Sequence, residues 1–168
     1  MTGTVLVTYG TRNGSTAHIA EAIADALREN GLTVETMRAA SVPFTTPYDA
    51  VVVGGALYAG RWHKDARRFI RRHRPDLARL PVWFFSSGPL DTSASDGDIP
   101  PVRAVRRAMD DLHARGHATF GGCLDDDADG FLARRILRSG KGGDFRDFEA
   151  VAAWASGIAQ QLKGRGER

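Results

Sequence analysis

Tyr9-Gly10-Thr11-Arg12-Asn13-Gly14-Ser15-Thr16 stands between a short apolar run, Val5-Leu6-Val7, and a segment in which Ile19, Ile23 and Leu27 recur every four residues. The run reads as a strand, and the four-residue recurrence as a helix burying one face. A turn of hydroxyls and glycines at the carboxyl end of a strand suits a phosphate. Glycine lets the backbone approach, several N–H groups converge, and the helix N-terminus adds favourable partial charge. The simpler reading is a β–α turn in which Ser15 or Thr16 caps the helix.

Two common phosphate motifs are excluded. The loop lacks the lysine of G-x-x-x-x-G-K-[ST], so nothing in it is placed to hold the outer phosphates of a nucleoside triphosphate. Gly10 and Gly14 are separated by three residues, which breaks the G-x-G-x-x-G of dinucleotide folds. What remains is Thr11, Ser15, Thr16, backbone amides and one charged side chain, Arg12. That set suits a single phosphate monoester.

Outward from the loop, strand and helix signals alternate. Thr33 to Met37 alternates polar and apolar residues, as suits a sheet edge, while Ala50 to Gly54 is a continuous run that reads as a strand buried on both faces. Pro81 to Ser86 is another buried strand and Ala118 to Gly122 a weaker fifth. Helices are expected over Asp65 to His73, Val102 to Arg115 and Phe148 to Leu162. The alternation predicts an α/β fold of three layers, a doubly wound five-stranded parallel sheet, in one domain spanning residues 1–168.

With 168 residues, 42% hydrophobic and 26% charged, the chain has the make-up of a globular domain with a substantial core. Cys123 is the only cysteine, which excludes an intrachain disulfide. No apolar stretch approaches the length of a membrane span, and no basic-then-apolar leader precedes the first strand. A cytoplasmic location is therefore expected. A net charge of +3, spread along several expected helices, is too mild to call for a nucleic-acid partner.

Tyr9, Thr11, Gly14, Thr16, Ala20 and Ile23 fill, in register, the aromatic, hydroxyl, small, threonine, alanine and aliphatic positions of a known signature. On these positions the chain resembles the flavodoxin-like proteins, departing from them at Thr8, where an apolar residue is usual. The resemblance implies a strand order of 2-1-3-4-5 and FMN as cofactor, at the switch point outside strands one and three. It places the FMN phosphate on Thr11, Arg12, Asn13, Gly14, Ser15 and Thr16. It also directs attention to the loops after the third and fourth strands.

After the third strand, Ala56, Leu57, Tyr58, Ala59, Gly60 and Trp62 form a glycine-flanked stretch with two large aromatics, which would gain by stacking on a flat ring. The alternative is that Trp62 packs over its own helix; His63 reads as a helix cap rather than a proton donor. After the fourth strand, Ser86, Ser87 and Gly88 offer hydroxyls and amides to the pyrimidine edge of a flavin, or else make an ordinary turn. Asp91 to Pro101 is expected to be a long polar loop. The run Asp125, Asp126, Asp127 and Asp129 matches no EF-hand spacing and reads as a solvated turn, so no metal is expected. Phe131 to Arg138 mixes apolar residues with arginines. It reads as ordinary structure on the sheet edge, with weak contact to a membrane surface as the other reading.

Thr11 to Thr16 and Tyr58 to His63 also resemble the corresponding loops of the menaquinone-dependent protoporphyrinogen IX dehydrogenase family. The segment Leu124 to Phe148 is shorter than in that family and begins with aspartates, and Ser86 to Pro89 differs too. The resulting expectation is an FMN-binding oxidoreductase that moves electrons between a donor and an acceptor not yet identified, either small molecules or proteins. Three other readings stand beside it: a non-enzymatic electron carrier, the menaquinone-dependent dehydrogenase itself, and a binding module without flavin. Which side chains are catalytic is left open, since a flavin carries its own redox chemistry.

Overall fold

The computed structural model describes residues 4–11, 15–45, 47–58, 61–88, 103–121 and 148–166. Its elements are β1 (Thr4–Gly10), α1 (Ser15–Glu29), β2 (Thr33–Arg38), a 3-10 turn (Ala39–Ser41), β3 (Ala50–Tyr58), β4 (Arg61–Trp62), α2 (Lys64–Leu77), β5 (Val82–Gly88), α3 (Arg103–Leu112), β6 (Gly116–Gly121) and α4 (Phe148–Gly166). Five strands pair in parallel in the order β2-β1-β3-β5-β6, which is 2-1-3-4-5 when the parallel strands alone are counted. The short β4 folds back antiparallel on β3, pairing Trp62 with Leu57 and Arg61 with Tyr58.

Successive side chains of a strand point to opposite faces, so a central strand needs apolar residues throughout. Val5 and Val7 pack with Ile19, Ile23, Leu27, Val52, Phe85 and Ile158 beneath α1 and α4. Leu6 packs on the other face with Val51, Val53, Phe69, Leu77, Phe84 and Val105 beneath α2 and α3. Phe84 and Phe85, adjacent in sequence, thus serve different cores, each full burial contributing about 1.5–3 kcal/mol. Thr33 to Arg38 lies at the sheet edge, as its alternation requires.

Element ends differ from expectation for local reasons. α2 runs through Pro75 to Leu77, because burial of Leu77 in the core outweighs the helix-ending tendency of the residue before proline. α3 stops at Leu112, where His113 takes φ 52° and the Ala114 N–H donates to Met109 O at 2.9 Å, closing the helix. β3 continues to Tyr58 because β4 pairs with its end.

The arginines spread along the sequence are gathered in space. Lys64, Arg67, Arg68, Arg71, Arg72 and Arg74 belong to α2, and Arg103, Arg106 and Arg107 to α3. The two helices are neighbours on one face, joined by an ion pair between Arg74 and Asp111. On the opposite face α1 carries Glu21, Asp25 and Glu29 against Arg28.

Candidate functional site

Gly10, Gly55 and Ser86 lie side by side in register at the carboxyl ends of β1, β3 and β5, as do Ala56 and Ser87. The three stretches singled out in the sequence therefore meet at one end of the sheet. Gly10 is there by necessity: a Cβ on it would lie 2.8 Å from Ala66 N and 2.9 Å from His63 Nδ1. The start of α2 thus packs against the end of β1, beside the start of α1.

Thr11 and Thr16 are both buried. Thr16 sits in the first turn of α1, and its Oγ1 is sealed from solvent without a hydrogen-bond partner. An unmet buried hydroxyl costs about 1–3 kcal/mol. The first turn of α1 also holds no acidic residue, so the positive end of the helix is uncompensated by the chain's own side chains there. A phosphate monoester supplies both missing partners, an acceptor oxygen and negative charge. Arg12, Asn13 and Gly14 lie outside the described residues, as does the side chain of Ser15.

The second stretch is more strand than loop. Ala56 is buried and Leu57 half-buried within β3; the Tyr58 side chain, Ala59 and Gly60 lie outside the described residues. Trp62 is 2% exposed, with its indole edge-on to Phe84 at 5.6 Å between ring centroids. Where an open stacking face was expected, the structure places a core residue. The physical cause is the β3–β4 hairpin, which folds the indole back over Gly55, whose missing Cβ would lie 2.5 Å from Trp62 Nε1. The Nε1–H is buried without a partner. His63 is the N-cap of α2, its Nδ1 accepting from the Asp65 N–H at 3.1 Å.

In the third stretch Ser86 and Ser87 are buried and Gly88 ends β5. Ser86 Oγ lies 3.0 Å from Nε2 of His117 on β6. Burial pushes the His117 imidazole down to about 4, so it is neutral near pH 7. His117 was not singled out in the sequence, where a lone histidine in a weak strand carries no signal; only the β5–β6 register brings it to Ser86. Pro89 to Pro101 and Cys123 to Arg138 lie outside the described residues. Among the described residues no group of His, Cys, Asp or Glu could hold a metal ion, and no helix is long and apolar enough to cross a membrane.

Residues 6–142 match the flavodoxin domain family. The chain belongs to this family. FMN is accordingly the cofactor that its family implies, and redox work the general function. Over 83 residues the chain is 30% identical to protoporphyrinogen IX dehydrogenase [quinone] of Escherichia coli (strain K12), covering 48% of this chain and 46% of that protein. The match thus spans about half the length of that relative. Among solved structures, rubredoxin oxygen:oxidoreductase from Desulfovibrio gigas superposes with a TM-score of 0.68 at 15% identity, over 96% of this chain and 36% of that one. A flavodoxin from the domain Archaea superposes with a TM-score of 0.63 at 14% identity, over 95% and 99% of the two chains. At such identities the likeness is one of fold.

Proposed function

We propose that the chain is an FMN-dependent oxidoreductase that seats the FMN phosphate at the start of α1, on Thr11 to Thr16, and the ring beside the carboxyl ends of β3 and β5. The single observation that carries this reading is Thr16 Oγ1, buried at a helix N-terminus with no partner. Bound FMN supplies electron or hydride transfer. The chain's own part is to hold and orient it. Thr11 and Thr16 provide hydroxyls to the phosphate, and Gly10 keeps the loop close to the start of α2. Ala56 and Ser87, both buried and paired in register, form the edge of the sheet on which the ring rests. The neutral His117 occupies Ser86 Oγ and fixes its direction, which leaves Ser87 and the Gly88 amide as the nearer donors of this strand. The donor and acceptor of electrons are small molecules or proteins that approach this end of the sheet.

Replacing Thr16 by valine tests the reading with two readouts. Loss of a hydroxyl to a charged group costs about 1.5–3 kcal/mol, so FMN affinity falls at least tenfold. The protein without FMN becomes no less stable, because the substitution removes an unmet buried hydroxyl. Equal affinity of wild type and Thr16→Val in fluorescence titration, or no FMN uptake by the wild type, overturns the assignment.

A further inference from the structure

The charges of α3 run against its own helix dipole. Arg103, Arg106 and Arg107 stand in its first half, Asp110 and Asp111 in its second, with no acid in the first turn and no base in the last. Anions at an N-terminus and cations at a C-terminus stabilise a helix, so this reversed order costs stability. α2 opens in a similar way, with Lys64, Arg67 and Arg68 around a single Asp65. Both helices start at the same end of the sheet. Ala66 N lies against Gly10 at the carboxyl end of β1, and α3 descends to β6, whose Gly116 pairs with Trp83 near the amino end of β5. The six cations therefore form one exposed rim at the end of the sheet where the three candidate stretches meet.

Among the described residues, the side chains of Lys64, Arg68, Arg103, Arg106 and Arg107 make no ion pair or hydrogen bond, and the Arg67 guanidinium donates only to Trp62 O, from Nε at 3.1 Å. A cleft of about 220 Å³ opens beside the rim between the 3-10 turn and α2, lined by Ala39 and Ala40 on one side and Asp65, Arg68, Phe69 and Arg72 on the other.

We infer that this rim is a docking surface for an acidic protein, with carboxylate side chains reaching Arg68, Arg103 and their neighbours. As a place for a redox partner it rests on the reading of the site as a flavin site; the docking itself does not. Three features of the rim select this occupant. Five of its six cations are arginines, whose planar fork matches a carboxylate with two hydrogen bonds and which are enriched at protein interfaces. An anionic lipid surface is held by exposed apolar residues set among the basic ones, yet on α2 and α3 Ala66, Phe69, Leu77 and Val105 are buried and Ile70, Ala108 and Met109 are partly buried against the core. A nucleic acid would find no exposed aromatic ring of α2 or α3 to stack on a base.

The test uses a small acidic [2Fe–2S] ferredoxin as probe, with affinity measured by calorimetry on the protein with and without FMN. Affinity should fall at least about tenfold between 0.03 M and 0.3 M salt, as oppositely charged surfaces are screened. Arg68→Glu combined with Arg103→Glu should weaken it at least about tenfold at low salt. Arg79→Glu combined with Lys163→Glu makes the same change of net charge away from the rim and should cost less than about threefold. Thermal melting controls for folding, and Arg103→Glu alone should not lower the melting temperature, since it relieves the dipole conflict. Equal losses in the two double variants overturn the inference. So does binding of phosphatidylserine vesicles or duplex DNA, with the same rim dependence, in place of ferredoxin. Docking that survives without FMN, beside failure of FMN uptake, would overturn the flavin reading and leave the docking surface standing.

Discussion

His117 is a half-buried imidazole whose Nε2 lies 3.0 Å from Ser86 Oγ. Desolvation lowers it from 6.5 to about 4, so the folded chain keeps it neutral where the unfolded chain takes up a proton. Stability from this group is therefore fully present above about pH 6.5 and is lost as pH falls toward 4. His73, packed against Phe69 and lowered first by burial, acts with the same sign. Discounted for partial solvent contact, the loss due to His117 is on the order of 2 kcal/mol. Urea unfolding at pH 7, 6 and 5 should show the His117→Gln variant losing less stability than wild type; parallel curves would refute the role. At this scale the sequence was legible where chemistry is local. Thr11 and Thr16 follow from a contiguous signature, whereas His117 depends on a strand register that no local pattern encodes. The burial of Trp62 is illegible for a similar reason: an aromatic in a glycine-rich stretch looks exposed until β4 folds it back.

Secondary elements show which glycines are structural. A Cβ on Gly54 of β3 would lie 1.9 Å from the Phe85 ring, inside a close-packed core with no room to yield. Gly157 in α4 has nothing within 4 Å of its added Cβ. Alanine should thus act oppositely at the two positions. Gly54→Ala should destabilise by about 3 kcal/mol or more through overpacking, or prevent folding. Gly157→Ala should stabilise by about 0.5–1 kcal/mol through helix propensity. Chemical denaturation of both variants decides it, and a neutral Gly54→Ala would mean that Phe85 has freedom the packing denies. Every strand and helix among the described residues except β4 was legible from periodicity, because each buries a regular face. Their ends were less legible. α2 was expected to end at His73 yet runs through Pro75 to Leu77, and the left-handed His113 that ends α3 has no signature of its own.

Across the whole molecule, apolar contact area bears on the kinship with protoporphyrinogen IX dehydrogenase [quinone]. That relative matches over 48% of this chain, and a shared cofactor loop does not by itself carry over a substrate. A flat macrocycle and a quinone tail need a broad apolar surface beside the flavin, since ligand pockets bury most of what they hold. Among the described residues the exposed large apolar side chain is Phe44, at 56%, in the segment between the 3-10 turn and β3. The rim of Lys64, Arg67, Arg68, Arg103, Arg106 and Arg107 would attract an acidic porphyrinogen, yet attraction of this kind speeds encounter more than it builds a pocket. Asp125, Asp126, Asp127 and Asp129 add negative charge in the stretch where the dehydrogenase family is longer and more basic. In sequence, Phe131, Leu132, Ile136 and Leu137, with Arg134, Arg135 and Arg138, are the apolar and basic residue types that would oppose this. The expected outcome is little or no turnover when FMN-loaded protein meets protoporphyrinogen and a menaquinone analogue without oxygen. Turnover on the order of 1 per second or faster, as for ordinary enzymes, would overturn this expectation. Loss of that turnover on replacing Phe131 and Ile136 by serine would then locate the apolar surface in that segment.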